Sequence, residues 1–558
     1  MKPLFFILTT LLLSNFAKAQ FVFTKLNLPT LSTPNNTLYT KNRWAVLNNK
    51  IYLTCTTNDY GTEIWETDGT PAGTKILKDI YHDFWNGVTA ISPPPPQYQE
   101  APDLRVFNGK MFFSANDSTH GTELWYSDGS TAGTQMLIDL MPGRFRGCYF
   151  KYSTEYNGRL YFTADSNQYQ GKEPWVTDGT AQGTYLLKDI NPGILQLTNS
   201  SEPRDYHQNF GLLYFIANTT STTTALYQTN GTTIGTVPVV TDTMPPNIQY
   251  SGAPVLKNKT FYTSNGNIWT YDGTFPGMQP FKPTGMQSAD LKNSIEYNGK
   301  LYFSATDATN GNELWVSDGT ENGTSIVKDI NPGSDGSGCS NFVVHKGQLY
   351  FTAKDTGSTQ LWTTDGTAAG TRKVTSNIQG TMSVFTSAGD RLYFMCKLSK
   401  TQTHMYYSDG TDTGTHMLTP SWMPPNDTLY TVWVASYAVL GKALYIYGRY
   451  DSTWFNLWKI EDTTTTDTGT SIRPASIMED LQVNIYPNPA RTYLSVKTNV
   501  AFKHGRVIIT DMAGRIIQTA NMQQGTETQI TLNDIAPGMY MADVWLDERR
   551  KTQKLIVQ

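Results

Sequence analysis

The sequence predicts an all-β chain: a β-propeller of eight or nine four-stranded blades, followed by a small Ig-like β-sandwich. Three observations predict it. One phrase, clearest as Glu-Leu-Trp-x-Ser-Asp-Gly-Thr-x-x-Gly-Thr, recurs nine times along the 558 residues. Its anchor aromatics are Trp65, Trp125, Trp175, Tyr227, Trp269, Trp315, Trp362, Tyr406 and Trp458, 42 to 60 residues apart. That spacing is blade-sized and too long for ankyrin or leucine-rich repeats. Composition agrees: Gly 45, Pro 28 and Tyr 32 are turn-rich and strand-rich, and helical periodicity is missing.

The sixth copy shows how one repeat becomes a blade. Asn298-Gly299 is a hairpin signal, because both central residues of a type I′ turn need φ > 0. Asn108-Gly109, Asn157-Gly158 and Lys346-Gly347 repeat it. Asp318-Gly319-Thr320 begins a second, longer hairpin in which Asp can accept bonds from nearby amides. Three or four short strands joined this way make one antiparallel blade. Copy nine is degenerate, with Ile460-Glu461-Asp462 where the second turn should stand, as expected of a terminal repeat. The end copies either make nine blades or combine to close at eight, and eight is favoured.

A charge pattern runs through the repeats. Glu63, Glu173 and Glu313 coincide with Lys78, Lys188 and Lys328 on the next strand, and copies without the Glu lack the Lys. Copy two departs, carrying Glu123 with Ile138. The pattern suggests a cross-strand ion pair worth about 0.2–1 kcal/mol. Residues recurring in several blades belong to the scaffold rather than to a singular site.

Outside the repeats, residues 1–19 read as a signal peptide: Lys2, the apolar run Leu4 to Leu13, then Ala17-Lys18-Ala19 before Gln20. No later stretch reaches the ~18 apolar residues of a membrane span, so none is expected in the mature protein. Net charge is −4 with 16% charged residues, and no basic stripe marks a nucleic-acid surface. The four cysteines are expected unpaired, since equivalent positions in different blades are too far apart to bridge. The repeats occupy 20–462. A Thr/Asp/Gly linker follows at 463–476, and strand-like alternation returns over 477–558.

The repeats resemble the ELWxxDGT family of large exported bacterial proteins, which implies no established activity. Ala305-Thr306-Asp307 and Gly311-Asn312-Glu313-Leu314-Trp315 are also similar to the tryptophan-docking motif of eight-bladed quinoprotein dehydrogenases. That likeness implies Trp packing between blades and favours eight. With no adjacent cysteine pair or haem-attachment motif, no cofactor is expected. The last segment resembles the type A sorting domain of type IX secretion. Tyr486-Pro487-Asn488-Pro489, Asp511 with Gly514, Gly538 with Tyr540, and the Lys-Leu-x-Val ending carry the likeness. It implies handling by the type IX machinery through this domain, passage via the periplasm, and a secreted or surface-attached product.

No hydrolase elbow, zincin helix, P-loop or Cys-x-x-Cys pair is present, and no metal site is expected. Unequal connectors are the better clue. Tyr81, Phe84 and Trp85 follow copy one, while Trp422 and Trp433 follow copy eight. Both connectors leave the same strand of their blades, so both belong on one face, where exposed aromatics stack on sugars or grip a peptide. Trp65, Trp125, Trp175, Trp269, Trp315 and Trp362, with Asp318 and Gly319, are structural. The leading expectation is an exported recognition or adhesion protein for glycans or proteins. The alternatives are a secreted glycan-cleaving hydrolase or lyase, which needs two converging non-repeat carboxylates, and a structural surface-layer component.

Overall fold

A computed structural model describes residues 21–26, 28, 44–57, 59–81, 103–140, 142, 148, 150–165, 171–192, 200–220, 223–239, 248–249, 253–257, 259–273, 278–376, 378–398, 403–420, 433–450, 456–463, 483–502, 505–511, 516–522, 525–532, 535–546 and 549–558. The expected signal peptide and most of the expected linker lie outside them. The chain divides into two compact units, Met1–Ile477 and Met478–Gln558. Among the described residues every element is a strand, and no helix is long and apolar enough to cross a membrane.

The first unit holds nine antiparallel sheets among the described residues. Sheet 1 runs Trp44–Leu47, Lys50–Thr57, Gly61–Thr67 and Lys75–Lys78, each strand bonded to the next. Sheets 2 to 8 repeat the plan; in sheet 5 the first strand is split into Ile248–Gln249 and Val255–Leu256. The first turns behave as their sequences predict: Asn298 and Gly299 have φ of 51° and 70°, and Asn108 and Gly109 have 48° and 71°.

Sheet 9 explains why the last repeat is degenerate. It contains Trp433–Leu440, Ala443–Arg449 and Asn456–Asp462, and its fourth strand is Phe21–Lys25 from the other end of the chain. Phe21 lies opposite Asp462 and Lys25 opposite Trp458. A turn after Asp462 has no purpose when the partner strand arrives from the N-terminus.

Every junction is filled by an apolar cluster that two neighbouring sheets share. Sheet 9 packs on sheet 8 through Tyr393, Leu418, Leu444 and Trp458, and on sheet 1 through Trp44, Leu53, Trp65 and Tyr445. The ring is therefore a closed propeller. Of the two blade counts the repeats allow, nine is found rather than the favoured eight. The end copies do not merge, because the N-terminal strand completes the ninth sheet. First strands of neighbouring sheets come into contact, whereas fourth strands such as Val237–Pro238 are exposed. The first strands thus line the axis, and the fourth form the rim.

The second unit is a sandwich of two sheets. One is ordered Val483–Tyr486, Tyr493–Phe502, Gly525–Thr531; the other Ile516–Met522, Gly505–Asp511, Gly538–Leu546, Arg549–Val557. Alternating residues from both, Leu494, Val496, Val507, Ile509, Val544 and Leu555 among them, form its core.

Candidate functional site

The recurring motif is a set of devices for joining one sheet to the next. Its Asp-Gly-Thr turn is the most regular. The amide and hydroxyl of Thr320 both donate to Asp318 Oδ1, at 2.9 and 2.7 Å. The hydroxyl of Thr320 also accepts from the amide of Gly323 at 2.9 Å. Ser317 Oγ lies 2.6 Å from Thr324 Oγ1, closing the turn. The same bonds recur around Asp68, Asp128, Asp178, Asp365 and Asp409. The hydroxyl and then the amide of Thr320 hold the Asp318 carboxyl below its usual range. These carboxylates are turn anchors.

The glycine of the turn meets the preceding sheet. In sheet 7, Gly366 has φ 93° and a Cβ there would collide with the hydroxyl of Tyr302 in sheet 6. Tyr52 meets Gly129, Tyr161 meets Gly231 and Tyr350 meets Gly410 in the same way. Gly319 also has positive φ, 95°, but its neighbour is Leu256. A left-handed backbone and a contact with no room for Cβ both require glycine.

The anchor tryptophans are scaffold too. Trp65, Trp125, Trp175, Trp315 and Trp362 are buried against the preceding sheet, and Trp269 is partly buried in the sheet 4–5 cluster. Burying a ring of this size contributes on the order of 2–3 kcal/mol per junction. The four cysteines are buried in these clusters.

The expected Glu–Lys ion pair is corrected. Glu313 accepts the amides of Ile330 and Asn331, each at 3.1 Å, and the hydroxyl of Ser337 at 2.6 Å. Glu63 accepts from the amides of Ile80 and Tyr81, each at 3.2 Å. The lysines instead cross to the next sheet: Lys78 Nζ donates to the carbonyl of Thr134 at 2.7 Å, Lys188 to Thr236 at 2.6 Å and Lys328 to Thr371 at 2.8 Å. Register gives the reason. Lys328 stands opposite Leu314 after a β-bulge, and neighbouring strand residues face opposite sides. Glu313 therefore shares the face of Trp315, toward sheet 5, while Lys328 shares the face of Leu314, toward sheet 7. Glu and Lys recur side by side in the repeat but make separate joints. This explains copy two, where Glu123 accepts the amide of Leu140 at 2.7 Å with Ile138 in the lysine position. All four carboxylates have 0% exposure. Burial pushes Glu63 up to about 8 and Glu173 to about 7 against the pull of their donors.

Of the connector aromatics, Phe84, Trp85 and Trp422 lie outside the described residues. Tyr81 is described, with its amide on Glu63, and Trp433 opens the first strand of sheet 9. The fourth strands end on the face that also carries the turns between second and third strands, as strand alternation in a meander requires. Among the described residues no group of three or more metal-ligating side chains converges.

In the second unit the Tyr486-Pro487-Asn488-Pro489 segment meets the Lys-Leu-x-Val ending. Asn488 Nδ2 donates to the carbonyl of Lys554 at 2.8 Å, and its Oδ1 accepts the amide of Ile556 at 2.9 Å. The amide of Ala490 donates to Ile556 O, and that of Gln558 to Ala490 O, each at 2.8 Å. Tyr486–Pro487 and Asn488–Pro489 are both cis. Tyr540 Oη donates to Ala536 O at 2.8 Å beside Gly538. Asp511 ends the strand Gly505–Asp511, and Gly514 lies outside the described residues.

By class, then, the first unit is a closed β-propeller, with nine blades among the described residues, and the second is a β-sandwich. Residues 484–558 match the family described as the secretion system C-terminal sorting domain. This part of the chain is a type IX secretion sorting domain, and it marks the protein for export to the cell surface or the medium. No curated protein matches the chain in sequence. Similar solved structures include a prolyl endopeptidase, with 11% identity, TM-score 0.37, and coverage of 63% of this chain and 54% of that one. Oligopeptidase B from Leishmania major has 12% identity and TM-score 0.36, covering 62% and 53%. The β-propeller domain of the trilobed protease from Pyrococcus furiosus has 12% identity and TM-score 0.30, covering 69% and 97%. The chain spans about half the length of the first two.

Proposed function

We propose that the propeller is a recognition or adhesion module for extracellular glycans or proteins, of the ELWxxDGT type. A cleavable signal peptide, removed before Gln20, would deliver it to the periplasm and the sorting domain would carry it outward. One observation carries the reading: the recurring motif, its carboxylates included, is used in the joints of a rigid scaffold, which leaves the unequal connectors to vary. Glu63, Glu173 and Glu313 are buried on backbone amides, and the turn aspartates hold their own loops. A rigid ring whose variation lies in unequal connectors on one face suits binding. Tyr81, Phe84, Trp85, Trp422 and Trp433 are the connector residues proposed to make contact.

The test is a screen of the full-length exported protein against glycan and matrix-protein arrays, with the Trp85→Ala/Trp422→Ala double variant alongside. Specific binding that the double variant weakens supports the reading. An array on which the wild type binds nothing sinks it.

A further inference from the structure

Four first strands, in sheets 3, 4, 7 and 8, share an irregularity on the axis side of the ring. Between Lys151 and Thr154 the strand advances three residues while its partner advances two. Arg204 to His207, Ser340 to Val343 and Ser383 to Thr386 do the same. The first residue of each bulge has positive φ: Tyr152 at 51°, Asp205 at 55°, Asn341 at 56° and Val384 at 53°. In three of them the next residue turns its ring inward: Tyr206 onto Phe215, Phe342 onto Phe351 and Phe385 onto Phe394, with centroids 5.2, 5.8 and 5.0 Å apart. Packing explains the bulge but not the residue before it. Left-handed φ favours glycine, and a bulky or branched residue there is strained. Yet Tyr152 and Val384 are each 46% exposed, so core packing does not account for them.

Polar groups concentrate beside two of these bulges. The amide of Tyr152 donates to Asp103 Oδ2 at 3.2 Å. Lys172 Nζ pairs with Glu202 Oε1 at 3.0 Å, and Arg204 Nη1 donates to the carbonyl of Glu202 at 3.0 Å. Glu202 also has positive φ, 43°, and Lys151 is buried next to the pair. Burial raises the Asp205 carboxyl despite Arg204 and Lys292 nearby.

We propose that Tyr152, Glu202, Arg204 and Asp205 form a carbohydrate site on the axis-facing edge of sheets 3 and 4. An exposed phenol offers the flat surface that a sugar's C–H face stacks upon. Planar carboxylate and guanidinium groups around it bridge neighbouring hydroxyls, since such forks bond in pairs. Cations Lys151, Lys172 and Arg204 balance carboxylates Asp103, Glu202 and Asp205, which favours an uncharged sugar over a uronic or sialic acid. The inference rests on the recognition reading and adds a site that the connectors do not include.

The experiment measures binding of the full chain to an array of neutral and acidic oligosaccharides, then calorimetric affinities for the best neutral ligand. Tyr152→Ala and Asp205→Gly are each expected to weaken binding at least tenfold. Because glycine suits the φ of residue 205, Asp205→Gly should keep or raise Tm, so its loss cannot be misfolding. Trp85→Ala/Trp422→Ala separates the two ideas. If that variant loses glycan binding while Tyr152→Ala and Asp205→Gly retain it, this site is overturned and the connector reading stands. Binding only of acidic glycans, or only of peptide, also overturns it. No ligand for the wild type overturns both.

Discussion

The hydroxyl of Tyr445, on the ninth sheet, fills the space beside Gly69, on the first, where any Cβ would have to stand. The same Tyr–Gly contact joins sheets 1 and 2, 3 and 4, 6 and 7, and 7 and 8. The closing junction is therefore built like the internal ones. Gly69 has φ 88°, and alanine there costs about 1–2 kcal/mol in backbone alone. Gly109 has φ 71° but open space around it. Gly69→Ala should lose about 2–4 kcal/mol in urea unfolding, and Gly109→Ala only the backbone part. Tyr445→Phe should recover part of the Gly69→Ala loss. Equal losses at 69 and 109 would show that the tyrosine contact is inconsequential.

Removing Phe21–Lys25 should open the ring. Phe21 packs on Tyr407 with centroids 4.6 Å apart, and Phe23 on Tyr450 at 5.3 Å. Losing two phenylalanines, each worth about 1.5–3 kcal/mol, together with a strand ladder, predicts a loss of at least ~4 kcal/mol. Urea midpoints of a chain beginning at Leu26 would check this; an unchanged midpoint contradicts velcro closure by the N-terminus.

Glu313 and Lys328 make separate joints, so their substitutions should add. Glu313→Gln and Lys328→Met are each expected to cost about 1–2 kcal/mol, with a coupling energy within about 0.5 kcal/mol of zero. A double-mutant cycle with a coupling above about 1 kcal/mol would restore the ion pair.

The buried carboxylates set a direction for pH dependence. Glu63 and Glu173 are raised from 4.5 to about 8 and about 7. The folded state holds these protons where the unfolded chain has lost them, so ν_U − ν_N is negative and stability falls as pH rises. Their contribution is fullest below the unperturbed 4.5 and lost as pH climbs through 7 to 8. Tm should drop across pH 5–8, and Glu63→Gln should flatten the drop. A Tm that rises over this window, equally in wild type and variant, would refute the proton-holding role.

Asn488 ties the start of the sorting domain to its last strand. Asn488→Ala should lower the stability of the second unit by about 1 kcal/mol and leave the propeller transition unmoved. Two-step calorimetric unfolding would register the shift; a drop confined to the propeller would argue against the clamp.

Much of this architecture was legible in residue order. Asn298-Gly299 announced a hairpin, Asp318 an anchored turn, and Trp315 a junction, because each depends on local φ preference or on burying one large ring. The Glu–Lys pattern was visible but misread. Facing is decided by the bulge between Leu314 and Trp315, and a one-residue shift in pairing leaves no mark in composition. Nothing about Val384 suggests left-handed backbone. Its branched side chain argues the reverse, and the bulge that turns Phe385 onto Phe394 exists only in the paired sheet.

By itself, then, the sequence determined the repeat, its turns, the sandwich and the sorting motif, each of which is written in local turn signals, strand alternation or a short motif. Tertiary structure alone decided that the sheets number nine, that Phe21–Lys25 completes the last, and that four axis-facing residues are turned out of their ladders. Those outcomes depend on how sheet faces fit around a closed circle, which no single repeat encodes.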